Sequence, residues 1–400
     1  MQNIAQINKK ECTGCGLCSV VCPKSCIKMA SDAEGFLVPS VDEALCVDCG
    51  ICLKKCPVTE ASDGLFLPER QEYFCGAVSD KEKLKKSSSG GVFLELAEHF
   101  LNNKGAVCGC VYDENAIATH RIYTKGDSIE DMCGSKYVQS HSSQCFEEIK
   151  RLASEERPVL FTGTACQIAA LKGFLGKEYP SLYTVEILCH GVPSPGFFKK
   201  YVEYLEKKLH GKVLSVQFRN KEKKGWGSEH RTCVVYRDKH GDLKKYRPLL
   251  PAYFSAFFYG LNLRESCYNC KFAKQQRVAD LTIGDFRGYW SKFGKTFNEG
   301  ISVIGVNSGK GKELVLKTEP RFSYLTELEQ NEAIRSNDNF EHPVKRPKER
   351  DRVYENINKG YRGFWKKAYL TKTYRKKTVA SFYGALVPQK IRMLRHKLLK

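Results

Sequence analysis

Eight cysteines near the start of the chain carry the clearest chemistry. Residues 12–23 read CTGCGLCSVVCP, and residues 46–57 read CVDCGICLKKCP. Each run has the spacing C-x2-C-x2-C-x3-C-P. The thiolate is the metal-binding form of cysteine, and crowded thiolates need a cation to neutralise them. A tetrahedral zinc site takes four, but zinc ribbons split two CxxC pairs with a long spacer. Here three thiols share one short loop and a fourth is displaced to a Cys-Pro. That spacing suits two cuboidal 4Fe–4S clusters that exchange their fourth ligands. The expected sets are Cys12, Cys15, Cys18 and Cys56 for the first, and Cys46, Cys49, Cys52 and Cys22 for the second. Cys26 lies outside the pattern and is expected to be a buried structural thiol.

The two runs repeat at an offset of 34 residues, from Cys12 to Cys46. Such a repeat predicts a pseudo-two-fold module in which each half supplies one ligand to the other half's cluster. Gly14, Gly16 and Gly50 leave room for backbone N–H groups to approach cluster sulfur. Residues 1–60 resemble two-cluster ferredoxins, which implies an α+β ferredoxin-like module. Such a module passes electrons without saying where they go. Residues 59–74, which mix Gly, Pro and charge, read as a linker.

The body alternates strand and helix. A helix is expected after SSSGG (residues 87–91), with Phe93, Leu96, Ala97, Phe100 and Leu101 at helical spacing. A phosphate fits the start of such a helix, and so does an ordinary serine cap. Residues 105–113 and 119–125 read as strands. RPVLFTGTACQIAALKGFL (157–175) reads as strand, sharp turn and helix, with Cys166 at the helix start. YTVEILCHGVPSP (183–195) is a further strand ending in Cys189-His190-Gly191. Residues 263–290 join Cys267-x-x-Cys270 to a strand ending at Gly284-Asp285. The alternation predicts an α/β domain with a mostly parallel sheet. No G-x-G-x-x-G follows a strand, and no Walker A, HExxH or GxSxG motif is present. Strand ends in such a sheet converge on one edge, so Cys166, Cys189, Cys267 and Cys270 can share a third cluster. Cys133 competes for the fourth place. For each thiol alone, a buried apolar role is the alternative.

SSSGGVF, GSKYVQS, GTACQIAAL, CHGVPSP, CYNCKF and ADLTIGDF occur in that order between residues 87 and 286. Together they resemble the coenzyme F420 hydrogenase/dehydrogenase beta subunit family, over residues 75–310. The expected regions are 75–175 for its N-terminal part, 176–310 for its C-terminal part, and a basic tail at 342–400. The resemblance implies an α/β flavoprotein-type fold with its own 4Fe–4S cluster. It also implies FAD that exchanges hydride with a deazaflavin or another organic partner. On that footing Ser89, Gly90, Gly91, Thr162, Gly163 and Thr164 are the candidate cofactor-binding residues. Lys136, His190 and Asp285 are the candidate catalytic residues. Lys136 would stabilise charge on a reduced ring, His190 would relay a proton, and Asp285 would orient flavin or substrate.

The rest of the composition sets limits. The chain has 400 residues, 19 cysteines and a net charge of +20. The odd cysteine number and the absence of an apolar leader in MQNIAQINKKEC argue for an unexported, cytoplasmic chain rather than a disulfide framework. The uncharged stretch PLLPAYFSAFFYGLNL (248–263) is too short to span a membrane and reads as buried core. Residues 342–400 carry 11 Lys and 7 Arg against three acidic residues, so +15 of the charge lies there and only +5 before it. Tyr361, Phe364, Trp365 and Tyr369 alternate with those cations, a pattern that suits an interfacial helix on anionic lipid, a nucleic acid, or a solvated docking arm. The mildly basic body disfavours nucleic acid. The expected function is an iron–sulfur flavoprotein oxidoreductase fed by ferredoxin or another redox protein. The alternative is an electron-transfer subunit with no substrate of its own.

Overall fold

The computed structural model describes residues 2–67, 72–222, 226, 232–248, 252–288, 292–293 and 299–364. The two cysteine runs fold alike. Gly16 (φ +79°) and Gly50 (φ +71°) each turn the chain into one helical turn, Leu17–Val20 and Ile51–Lys54. A side chain disfavours that left-handed conformation, which explains glycine after the second cysteine of each run. Between the runs lies an antiparallel hairpin, β1 (Ile27–Ser31) with β2 (Leu37–Val41), in register Ile27 opposite Val41. The linker does not float. Phe66 stacks on Phe272 with ring centroids 5.7 Å apart, and the Leu67 N–H donates to the Arg277 carbonyl.

The body is built on one eight-stranded sheet. Its strands are β3 (Glu72–Val78), β4 (Ala106–Tyr112), β5 (Ala118–Tyr123), β6 (Val159–Thr164), β7 (Leu182–Ile187), β11 (Leu281–Asp285), β12 (Ser302–Val306) and β13 (Phe322–Leu328). They run in the order β13-β3-β12-β11-β7-β6-β4-β5. The four central strands β11, β7, β6 and β4 are mutually parallel. Every other pairing is antiparallel. The sheet is therefore mixed, and parallel only at its centre. Five residues, 113–117, separate β4 from β5; a parallel crossover needs a dozen or more, so the chain turns straight back. Helix Ala165–Leu175 covers one face and helix Val92–Asn102 the other, so central strands such as β4 read as unbroken apolar runs.

A second sheet, β8 (Gly211–Gln217), β9 (Cys233–Asp238) and β10 (Leu243–Tyr246), is antiparallel. It packs with helices Pro195–Leu209 and Ala252–Phe258 around an aromatic core that includes Phe197, Phe198, Phe218, Tyr253 and Phe257. The basic end of the chain departs from its expected solvated form. Helices Arg350–Ile357 and Tyr361–Phe364 dock on that same core, and Val353, Tyr354, Ile357, Tyr361 and Phe364 are buried in it. Trp365, Tyr369 and the rest of 365–400 lie outside the described residues. Among the described residues no helix is long and apolar enough to cross a membrane.

Candidate functional site

Every cysteine of the two runs is a free thiol. The module gathers them closely, and the charge of Cys52 from the second expected set also reaches Cys18 and Cys56 of the first. Cys18 is buried and feels the charges of Cys15, Cys12 and Cys56, and Cys56 feels those of Cys15 and Cys12. Burial is the main cause that pushes both thiols up, Cys56 to about 12. Cys22, Cys46, Cys49 and Cys52 line one cavity. Cys26 faces that cavity as well, with its sulfur 3.3 Å from Cys22 Sγ. It is buried, as expected, in the small core of the module. Cys49 is exposed, and so are Leu45, Val47 and Ile51 around it.

A third group forms at the carboxyl edge of the parallel strands. Cys166 opens the helix after β6, Cys189 follows β7, and Cys267 and Cys270 lie on and after the turn Glu265–Asn269 that leads toward β11. Cys166 feels the charges of Cys270, Cys189 and Cys267, and Cys267 feels those of Cys189 and Cys270. Burial raises all four thiols, Cys189 to about 12. Such thiols stay protonated until a cation takes them, so metal binding here must release protons. Cys133 is placed apart: its sulfur points to the Ile129 carbonyl, and the charges around it are Lys136, Lys86, Glu130 and Asp131. Among the described residues no three His, Cys, Asp or Glu side chains close tightly enough for a single metal ion. A cuboidal cluster asks for less convergence, because each sulfur binds a different iron.

Several of the remaining candidates are joined by contacts across the body. Ser88 Oγ accepts from the Ser135 N–H at 2.8 Å, which joins the SSSGG and GSK segments. The Gly90 N–H donates to Ser302 Oγ at 2.9 Å, and Ser302 pairs with Asp285 across β12 and β11. Asp285 forms an ion pair with Arg219 (2.8 Å), and Arg219 donates to the Tyr137 hydroxyl (3.2 Å). The Tyr137 ring stacks on Phe257 at 4.2 Å, and Phe257 meets the His190 ring edge-on. His190 and Asp285 are thus joined through one aromatic and polar layer, while Lys136 only precedes Tyr137 in the chain.

Many of these candidates are already satisfied within the chain. Lys136 Nζ donates to the Asp131 and Cys133 carbonyls, and burial lowers its ammonium. His190 Nε2 donates to the Phe258 carbonyl (3.2 Å), and its Nδ1 faces Asn339 Oδ1 (3.4 Å). The Ser89 hydroxyl is spent on the Ile301 carbonyl and the Thr162 hydroxyl on the Cys108 carbonyl. Thr164 caps its helix through a capping box with Gln167. Gly163 packs close to the Gln167 side chain. Gly91 (φ +86°) opens helix Val92–Asn102, and nothing approaches the Cα of Gly134 closely. Among the described residues no side chain caps the start of that helix, and the Ser135 N–H of the Gly134 turn is taken by Ser88.

Several contributors are invisible at the level of motifs. Glu186 and Arg277 form a buried ion pair, and both charges reach Cys189 and Cys270. Gln139 Nε2 donates to the Thr13 and Gly14 carbonyls of the first cysteine loop. Arg264 Nε donates to the Cys12 carbonyl at 2.6 Å. Each is a common residue type whose partner lies far along the chain, so no local pattern marks it.

Comparison with known proteins bears out both resemblances. Residues 11–59 match the 4Fe-4S dicluster domain. Residues 156–329 match the C terminus of the coenzyme F420 hydrogenase/dehydrogenase beta subunit. That match reaches β13, past residue 310 where the motifs stop. No curated protein matches the chain. Among solved structures, a chain of the xenon-derivatized F420-reducing NiFe hydrogenase complex from Methanosarcina barkeri is similar at 16% identity. It has a TM-score of 0.42, with 72% of this chain and 93% of that chain covered.

Proposed function

We propose that this chain, a 4Fe–4S dicluster domain joined to an F420 hydrogenase/dehydrogenase beta-subunit region, is an iron–sulfur flavoprotein oxidoreductase. The carrying observation is the succession of free thiols from the exposed Cys49 to the partly buried Cys166. In this reading Cys12, Cys15, Cys18 and Cys56 hold one cluster. Cys46, Cys49, Cys52 and Cys22 hold a second, and Cys166, Cys189, Cys267 and Cys270 hold a third. The donor set fits, since buried thiols without disulfide partners need a metal centre to ionise. The exposed Cys49, rimmed by apolar Leu45, Val47 and Ile51, is the face for ferredoxin or another redox protein.

FAD, when bound, stores two electrons and exchanges hydride with an organic substrate such as a deazaflavin, whereas clusters move single electrons. Gly91 at its helix start and the Gly134-Ser135-Lys136 turn would hold it. Lys136 places a cation at the same edge, and the Asp285–Arg219–Tyr137 chain fixes the wall that faces a substrate. Cluster potentials range over about −700 to +450 mV, so either direction of flow fits.

The spent donors at Ser89, Gly90, Thr162 and Thr164 favour a second reading, an electron-transfer subunit that serves a separate catalytic protein. Full-length protein kept reduced by excess chemical reductant that does not itself reduce a deazaflavin, and mixed with it anaerobically, separates the two. Loss of the deazaflavin absorbance over many turnovers is expected of the flavoenzyme. No turnover, with electrons still delivered to a redox protein, would establish the second reading.

A further inference from the structure

Arg264 lies between the first and third thiol groups. It is 3% exposed. Its Nε donates to the Cys12 carbonyl (2.6 Å), and Nη1 donates to Gln139 Oε1 (3.1 Å). Gln139 in turn holds the Thr13 and Gly14 carbonyls of the same loop. On its other side, the Arg264 carbonyl accepts from the Cys267 N–H at 3.0 Å, and Arg264 caps the turn Glu265–Asn269 that carries Cys267. Its charge reaches Cys15 in the first group and Cys267 in the third.

The guanidinium has no carboxylate partner among the described residues. The nearby acids are taken: Glu34 pairs with Arg350, and Glu265 pairs with Arg346 and Arg350. Among the described residues the one ring it faces is Phe36, with Cζ 5.2 Å from the centroid. A buried cation without a counter-charge is strongly unfavourable. Thiolate-bound clusters on both sides would supply that counter-charge.

We propose that Arg264 is a positioning residue that sets the potentials of both flanking clusters and couples them. The proposal rests on the cluster assignment of the proposed function. A fixed positive charge favours the reduced, more negative state of each cluster. In the transfer, one electron leaves the first cluster and one arrives at the third, and no bond or proton moves. Raising both potentials alike would leave the difference between them unchanged.

The test is a redox titration followed by electron paramagnetic resonance on anaerobically purified full-length chain, with iron counted in each sample. In R264Q, two cluster midpoints are expected to move negative, with the reduced-to-oxidised ratio falling about tenfold, about 59 mV for one electron. The cluster of the exposed Cys49 keeps its midpoint, and R264K keeps all of them. Unchanged midpoints in R264Q at the wild-type iron content would overturn the proposal. If R264Q and R264M both lose iron, R264K decides. Retained iron and potentials in R264K support a need for charge, and lost iron there reduces Arg264 to a strut. A wild-type count of about eight irons would instead remove the third cluster from the proposed function. The shift of the first cluster in R264Q would then still judge Arg264.

Discussion

His120 gives the site a pH dependence of its own. It is 2% exposed, its ring stacks on Phe161, and its Nε2 donates to the Thr162 carbonyl at 2.9 Å. Burial lowers it from 6.5 to about 4. The unfolded chain therefore binds this proton more readily than the folded one. Stability from this group is full above pH 6.5 and is lost as pH falls toward 4, by about 3 kcal/mol in all. Denaturant titrations of wild type and H120Q from pH 7 to 4.5 should show the steeper loss in wild type. Equal pH slopes in the two would contradict the assignment. Sequence spacing reveals the cysteine ligands because iron–sulfur chemistry fixes their intervals. It does not reveal His120, Gln139 or Arg264, whose roles arise only when strands and loops distant in sequence meet.

At the scale of elements, the C-terminal helices carry the sharpest correction. The count of Lys and Arg after residue 342 hides an apolar stripe at Val353, Tyr354, Ile357, Tyr361 and Phe364. That stripe has helical spacing and fills the aromatic core. Arg350, 1% exposed, pins it through Glu34 of the ferredoxin-like module. Each large apolar side chain adds about 1.5–3 kcal/mol on burial, and a domain's net stability is about 5–15 kcal/mol. A chain ending at residue 364 should keep wild-type solubility and thermal midpoint, while one ending at 341 should aggregate or unfold. A folded 1–341 chain with an unchanged midpoint would show that the helices are not part of the core. Other elements were readable for plain reasons. The central strands β4, β6 and β7 are buried on both faces and appear as apolar runs. The antiparallel flanks were not, because strand direction depends on the connections rather than on the strand's own residues.

Across the whole molecule, the ferredoxin-like module packs along helix Ala165–Leu175 and contacts Arg264 and Gln139 near the third thiol group. Lys55 Nζ donates to the Gly173 carbonyl (3.0 Å) at the far end of the Cys166 helix. Gly35 packs against Gly196 so closely that an added Cβ would lie 2.6 Å from its Cα. Gln139 and Arg264 tie the first cysteine loop to the third group. In the proposed function the chain would align the exposed Cys49 face, two internal thiol groups and the Tyr137–Arg219–Asp285 contacts. The two modules and their order are legible in the sequence, while their docking is not, since it depends on close backbone approach and single hydrogen bonds. The most direct measurement is the content of iron, acid-labile sulfide and flavin per chain after anaerobic purification. The account predicts about twelve irons, about twelve sulfides and one flavin. About eight irons and no flavin would contradict it, removing both the third cluster and the flavoenzyme.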